Sequence, residues 1–271
     1  MNPGTEITMK AVLARHLGSG VLTLTLSRPE QRNALDLALA GQLAAALREC
    51  AENRDVRAVL ITGSGTTFCA GDDLRATGGW RDGSYDGTPN DPRTHEHLYL
   101  TICRLMVAVP VPVIVAVNGP AVGAGLSLVC AGDYRVAADH AWFATPGLPM
   151  AHLGDVAMLS RAVGPSVATR MFLTGERVDS RQAVARGIID RCVPVSRLHP
   201  EATRFAEELA AAPTRTIGLF KELRERAWCL GTDEALTLQD RYHHRSHHEI
   251  NDARRAWEAH VSGETPLFRG D

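Results

Sequence analysis

The sequence has no surplus of charge: 29 Lys and Arg stand against 31 Asp and Glu, a formal net charge of -2. Nothing in that balance suits a nucleic-acid backbone or an anionic membrane surface. It also lacks any CxxC pair. Its six cysteines (Cys50, Cys69, Cys103, Cys130, Cys192, Cys229) are scattered, which leaves zinc-ribbon and thioredoxin-like readings without support. No secretory signal is evident, so the cysteines are expected as reduced thiols of a cytoplasmic protein. No long apolar run is unbroken either. The most apolar stretch, 107–131, contains Pro110, Pro112, Asn118, Gly119 and Pro120, as a buried strand and turn would, and a membrane helix would not. No fixed-period repeat is visible.

What is present suits a globular chain of 271 residues, 45% hydrophobic and 22% charged, long enough to bury a core without staples. The run 21–26, VLTLTL, alternates as a half-buried strand does. Leu39, Leu43 and Leu47 recur every four residues and predict a helix from about Asp36 to Ala51. The β-branched run 56–62, ending at Gly63-Ser64-Gly65, predicts a second, buried strand. The Gly-, Asp- and Pro-rich stretch 76–93 reads as a long loop. A helix is expected near 97–107, strands at 111–117, 133–138 and 142–144, and a helix at 124–131. Beyond Asp155 the pattern is mostly helical, with a strand expected at 187–193. The fold class is α/β, with a core over 1–197 and a C-terminal helical region over 198–271.

Several local patterns begin like catalytic motifs and fail to finish. Gly63-Ser64-Gly65 lacks the third glycine of a dinucleotide loop. Gly125-Leu126-Ser127-Leu128-Val129 lacks the closing glycine of a nucleophile elbow, so Ser127 reads as a buried helical serine. His243, His244, His247 and His248 give i,i+4 histidine pairs on a predicted helix. That spacing can hold zinc, but no cysteine or acidic motif completes a set, and a solvated or subunit-contact face is expected. Two other segments stand out together: Phe68-Cys69-Ala70-Gly71-Asp72-Asp73-Leu74, and Ala116 through Gly125, AVNGPAVGAG. Each follows a buried strand and leads through small residues toward a polar or helical start, where backbone N–H groups are left exposed. Two such groups converging on one carbonyl oxygen form an oxyanion hole; glycine in a plain tight turn is the alternative.

This pair of segments resembles the two signature segments of the crotonase superfamily, the enoyl-CoA hydratase/isomerase family. So do Ser27-Arg28-Pro29 through Asn33-Ala34-Leu35, then Leu173-Thr174-Gly175-Glu176 with Gly187-Ile188-Ile189-Asp190, and the closing Pro266-Leu267-Phe268-Arg269-Gly270. The resemblance runs over roughly 10–270. It implies a spiral of ββα units with a C-terminal helical region that assembles trimers, often paired as hexamers. It also implies an acyl-CoA substrate, with coenzyme A as part of that substrate and no separate cofactor or metal. The thioester oxygen would lie between the backbone N–H groups of Asp72 and Ala124, with the Asp72 carboxylate turned away. Arg28, Arg32, Arg75, Phe268 and Arg269 would contact CoA, and Ala70, Gly123 and Gly147 would line the substrate's path.

The departures narrow the chemistry. The hydratases of the family use two glutamates, and at those positions this chain has Ser127 and Gly147. Asp155, eight residues after Gly147, falls where several divergent members carry a catalytic aspartate. It is the acid–base candidate for isomerase-like proton transfer; an N-cap for the next helix is the alternative. His152 could assist from the same loop. The readings left open are a CoA-thioester enzyme, an acyl-CoA-binding protein on the same scaffold, and a diketone or CoA-ester hydrolase that uses Asp155.

Overall fold

A computed structural model describes residues 12–74, 98–148, 151, 153–154 and 156–271. Strands β1 (Leu13–Gly18) and β2 (Val21–Leu26) form an antiparallel hairpin. Helix α1 (Leu37–Glu52) follows and leads to β3 (Ala58–Gly63), which lies parallel to β2. Asp36 caps α1, its carboxylate accepting from Leu39 N at 2.8 Å. The expected stripe of Leu39, Leu43 and Leu47 is fully buried.

From β3 onward the chain winds in repeated turns. Helix α2 (Leu98–Ala108) is followed by β4 (Val113–Val117), the two-residue β5 (Ala121–Val122) and α3 (Ala124–Ala131). The next turn holds β6 (Tyr134–Ala138), β7 (Trp142–Ala144) and α4 (Val156–Thr174), the last broken where Gly164 leaves helical geometry before Pro165. Each of these turns is strand, strand, helix. Its first strand joins a six-stranded sheet ordered β1-β2-β3-β4-β6-β9, and its second joins a three-stranded sheet ordered β5-β7-β8. β8 (Val178–Asp179), α5 (Ser180–Arg186) and β9 (Arg191–Val193) complete the sheets.

Both faces of the large sheet are covered, so its central strands alternate between two cores. Val59, Ile61, Val113, Val115 and Val117 face the side of α1, α2 and α3. Ala58, Leu60, Ile114, Ala116 and Val136 face the other side. There helix α6 (Val195–Ala211) lays down Leu198, Ala202, Ala206 and Ala210, one apolar residue per turn. The division expected at 197 therefore falls inside a helix packed on the sheet. The remaining helices, α7 (Thr214–Ala227), α8 (Thr232–His248) and α9 (Asn251–Ser262), follow it. Helix α7 is tied to the sheet by Lys221, which is buried. Its Nζ donates to Met106 O and Val111 O, both at 3.0 Å, and to Asp133 Oδ2 at 2.5 Å. No helix among the described residues is long and apolar enough to cross a membrane.

Candidate active site

The first signature segment leaves the C-terminal end of β3 through a braced loop. Asn33, buried with φ 54°, donates to Ser64 O at 2.9 Å and Thr67 O at 2.7 Å. Asn118 accepts from Gly63 N at 3.1 Å and donates to Gly65 O at 2.9 Å. The chain then runs between two neighbours. Cys69 exchanges backbone bonds with the β5 side: Cys69 N donates to Pro120 O, and Val122 N donates to Cys69 O. Ala70 N donates to Arg32 O, Leu35 N to Gly71 O at 2.8 Å, and Asp73 N to Leu35 O at 2.9 Å. A trans peptide points its C=O and N–H in opposite directions, and no peptide among the described residues is cis. With Gly71 O aimed at Leu35, the N–H of Asp72 is aimed the other way. Gly71 has φ +95°, and a Cβ there would sit 3.0 Å from Val122 O and 3.5 Å from Ala124 N. The second signature segment is thus directly beside it.

That second segment ends β4, turns at Asn118-Gly119-Pro120, forms β5 and opens α3. Gly123 takes φ 59°, ψ -128°, a conformation open to glycine but not to residues with a side chain. Its N–H is bonded to Ala144 O at 3.1 Å. Its carbonyl accepts from Leu126 N at 2.8 Å and Ser127 N at 3.1 Å, so it points into the helix. The Gly123–Ala124 peptide therefore aims the N–H of Ala124 out of the helix N-terminus, where the helix dipole is positive. The two aimed N–H groups belong to facing segments. Gly125 permits that approach, since a Cβ on it would lie 2.3 Å from Cys69 O. Such an arrangement can hold one oxygen that gains negative charge.

The other candidates divide. Arg32 is exposed beside the first segment, its carbonyl bonded to Ala70 N, and Ala70 is half-buried. Gly147 is buried. Just before it, Thr145 lines a cavity of about 90 Å³ with Val156, Leu159, Ala168 and Phe172. Ala144, the residue before Thr145, is bonded to Gly123 at the N-terminus of α3. A cavity of about 240 Å³ beside β1 and α1, walled by Arg15, Glu49 and Cys50, shares none of these residues. Ser127 is buried within α3. Arg75, His152 and Asp155 lie outside the described residues. Arg28 is mostly buried and already engaged: it donates to Ala34 O at 2.5 Å and Asp73 Oδ2 at 2.9 Å, and lies 3.2 Å from Asp36 Oδ2.

Phe268 and Arg269 are not gathered with the rest. Arg57, which immediately precedes β3, donates to Phe268 O at 3.3 Å, and buried Asp252 accepts from Arg269 N at 2.8 Å and Gly270 N at 2.7 Å. The tail is therefore moored at the N-terminal end of β3. Six strand residues, roughly 20 Å, separate it from the end where the signature loops begin. The α8 histidines are exposed, with the His244 and His248 rings 4.3 Å apart. Among the described residues no three His, Cys, Asp or Glu side chains gather as a metal site. Asn33 and Asn118 were missed as site residues from sequence alone. For Asn118 the signal is its place between a strand end and Gly119; Asn33 carries none beyond lying in a matched segment.

The enoyl-CoA hydratase/isomerase family profile matches residues 16–268, and the chain belongs to this family, with its α/β crotonase-like fold. A 1,2-epoxyphenylacetyl-CoA isomerase of Escherichia coli strain K12 is 32% identical over 268 residues, covering 97% of this chain and 100% of that protein. The mitochondrial enoyl-CoA hydratase domain-containing protein 3 of Rattus norvegicus is 33% identical over 207 residues, 74% of this chain and 66% of that protein. An enoyl-CoA hydratase structure from Mycobacterium smegmatis superposes with a TM-score of 0.85 at 29% identity, covering 96% of this chain and 99% of that one.

Proposed function

We propose that this protein is an acyl-CoA enzyme that stabilises a thioester enolate between the N–H groups of Asp72 and Ala124 and moves a proton with Asp155. The observation that carries the reading is the pair of peptide directions set by Gly71 O on Leu35 and Gly123 O on α3. A proton α to a thioester becomes removable when the oxygen's growing charge is met by donors already in place. Each such donor is worth about 3–4 kcal/mol in the transition state, and the α3 dipole adds to it. Ser127 and Gly147 stand where a hydratase would place its glutamates, which favours isomerase-like proton transfer over hydration. The full-length similarity to a protein described as a CoA-ester isomerase supports the same choice. The cavity beside Thr145 takes the acyl group. Arg32 and Arg75 meet the CoA phosphates, and Ala70, Gly123 and Gly147 line the path between.

The tail is moored about a strand's length from its own chain's signature loops, and in the reading proposed here Phe268 and Arg269 serve the CoA of a neighbouring subunit in a homotrimer or hexamer. Exchange in heavy water tests the chemistry before the natural substrate is known. The enzyme should wash deuterium into the α-carbon of unsaturated acyl-CoA esters, read by mass spectrometry. Tight binding of these esters with no exchange and no turnover would instead favour an acyl-CoA-binding protein.

A further inference from the structure

We infer that Arg28 is a positioning residue that fixes the direction of the Asp72 N–H, rather than a ligand of the CoA phosphates. The inference rests on the proposed role of Asp72. Arg28 is held at its own backbone, where Arg28 N donates to the buried Asn33 Oδ1 at 2.9 Å and Arg28 O accepts from Asn33 N at 2.9 Å. Its guanidinium is 13% exposed and reaches three acceptors at once: Ala34 O, Asp36 Oδ2 and Asp73 Oδ2. Those acceptors flank the two ends of one bridge. Leu35 pairs with Asp72, through Leu35 N to Gly71 O and Asp73 N to Leu35 O. The guanidinium therefore ties Ala34 and Asp36 on one strand of the bridge to Asp73 on the other.

Asp36 carries the restraint further, since its other oxygen caps α1 through Leu39 N. The peptide that aims Asp72 N–H is thus braced from the start of a buried helix. A phosphate would have to compete with two carboxylates already paired to this guanidinium, at 3.2 Å and 2.9 Å. Without Arg28 the same two carboxylates repel across the bridge. The Gly71–Asp72 peptide would then lose its fixed direction, and misplacing a catalytic group by about 1 Å can cost on the order of 100-fold in rate. Only Arg has a planar fork that reaches a carbonyl and two carboxylates together.

The test uses trans-cinnamoyl-CoA, whose conjugated absorption moves to longer wavelength when hydrogen bonds polarise the thioester oxygen, and free CoA, which reports the phosphate contacts alone. Wild-type protein should shift the bound cinnamoyl band. Arg28→Met should lose roughly half or more of that shift, since one of two donors is misaligned, while its Kd for free CoA stays within about threefold. Arg28→Lys, which keeps the charge without the fork, should recover part of the shift. A full shift in Arg28→Met with free CoA bound about tenfold more weakly, as for a lost charge-assisted contact, would make Arg28 a phosphate ligand and overturn the inference. Binding to the wild type without any shift would instead remove the Asp72 and Ala124 reading itself. Should Arg28→Met fail to fold by circular dichroism, Asp73→Asn carries the same readouts, and an unchanged shift there also overturns the inference.

Discussion

At the scale of single residues, the site depends on backbone conformations that few side chains permit. Gly71 has φ +95° and faces Val122 O. Gly71→Ala should lower stability by about 1–3 kcal/mol, the usual cost of a residue held in such a region, and should abolish the cinnamoyl shift as Asp72 turns. Thermal melting and absorption spectra check the two effects separately. Asp155→Asn keeps capping ability and removes only the ionisable group, so α-deuterium exchange should fall by roughly 100-fold or more with CoA affinity unchanged. Retained exchange would leave Asp155 as a cap. On the proposed reading of Ser127 and Gly147, crotonyl-CoA hydration should be slow in the wild type, since one positioned general acid or base contributes about 10²–10⁴-fold; turnover like that of a two-glutamate enzyme would overturn that reading. The thiols differ as sharply. Burial pushes the Cys50 thiol up to about 11, which leaves about a thousandth as thiolate at pH 8, whereas Cys229 is exposed. Iodoacetamide on the native protein should mark Cys229 and spare Cys50 in peptide mass spectra.

At the scale of elements, what could be read from sequence depended on whether burial left a period. α1 showed its leucines every four residues, and β2, β3 and β4 showed alternating or continuous apolar runs, because each packs a full face. β1 did not, because it is an edge strand with only Leu13 buried among four exposed residues and Gly18. β5 and β8 are two residues long and form through bonds to distant segments, both to β7 and β5 also to Cys69, which no local pattern announces. The glycines of the two signature segments were legible, but the directions of their peptides follow from long-range bonds to Leu35 and within α3. Arg28 looked like a spare cation because its partners Asp36 and Asp73 come together only in the fold. Lys221 is the same kind of case. Burial pulls its ammonium below the ordinary lysine value while Asp133 pulls it back up, and Asp133 is also met by Arg224 and Val113 N. Lys221→Met leaves Met106 O and Val111 O without their donor and should cost about 2–3 kcal/mol, read as a lower urea midpoint at unchanged slope. Acyl-CoA spectra of the folded fraction should not change, because this anchor lies at the start of β4 and the site lies beyond its end.

At the scale of the whole molecule, the C-terminal helices present more apolar surface than one chain covers. Phe220 is 62% exposed and Trp257 66% exposed, with Trp228, Leu236 and Val261 also on the surface. Burying one such large apolar side chain is worth about 1.5–3 kcal/mol, and so many exposed on these helices suit an interface. On the proposed trimer or hexamer, light scattering should give three or six times the 29.3 kDa chain mass, and a monomer at micromolar concentration would refute the assembly. The moored tail links assembly to binding. Phe268 and Arg269 sit roughly a strand's length from their own signature loops, and on the proposed assembly they meet the CoA of another subunit. Arg269→Glu should then weaken CoA binding by about tenfold in the oligomer, as loss of one charge-assisted contact does. Trp257→Lys places a charge in the patch and should shift the protein toward smaller species. In that background CoA affinity should already be reduced, and adding Arg269→Glu should change it no further. Equal effects of Arg269→Glu in both backgrounds, measured by calorimetry, would mean that the tail acts within its own chain or not at all.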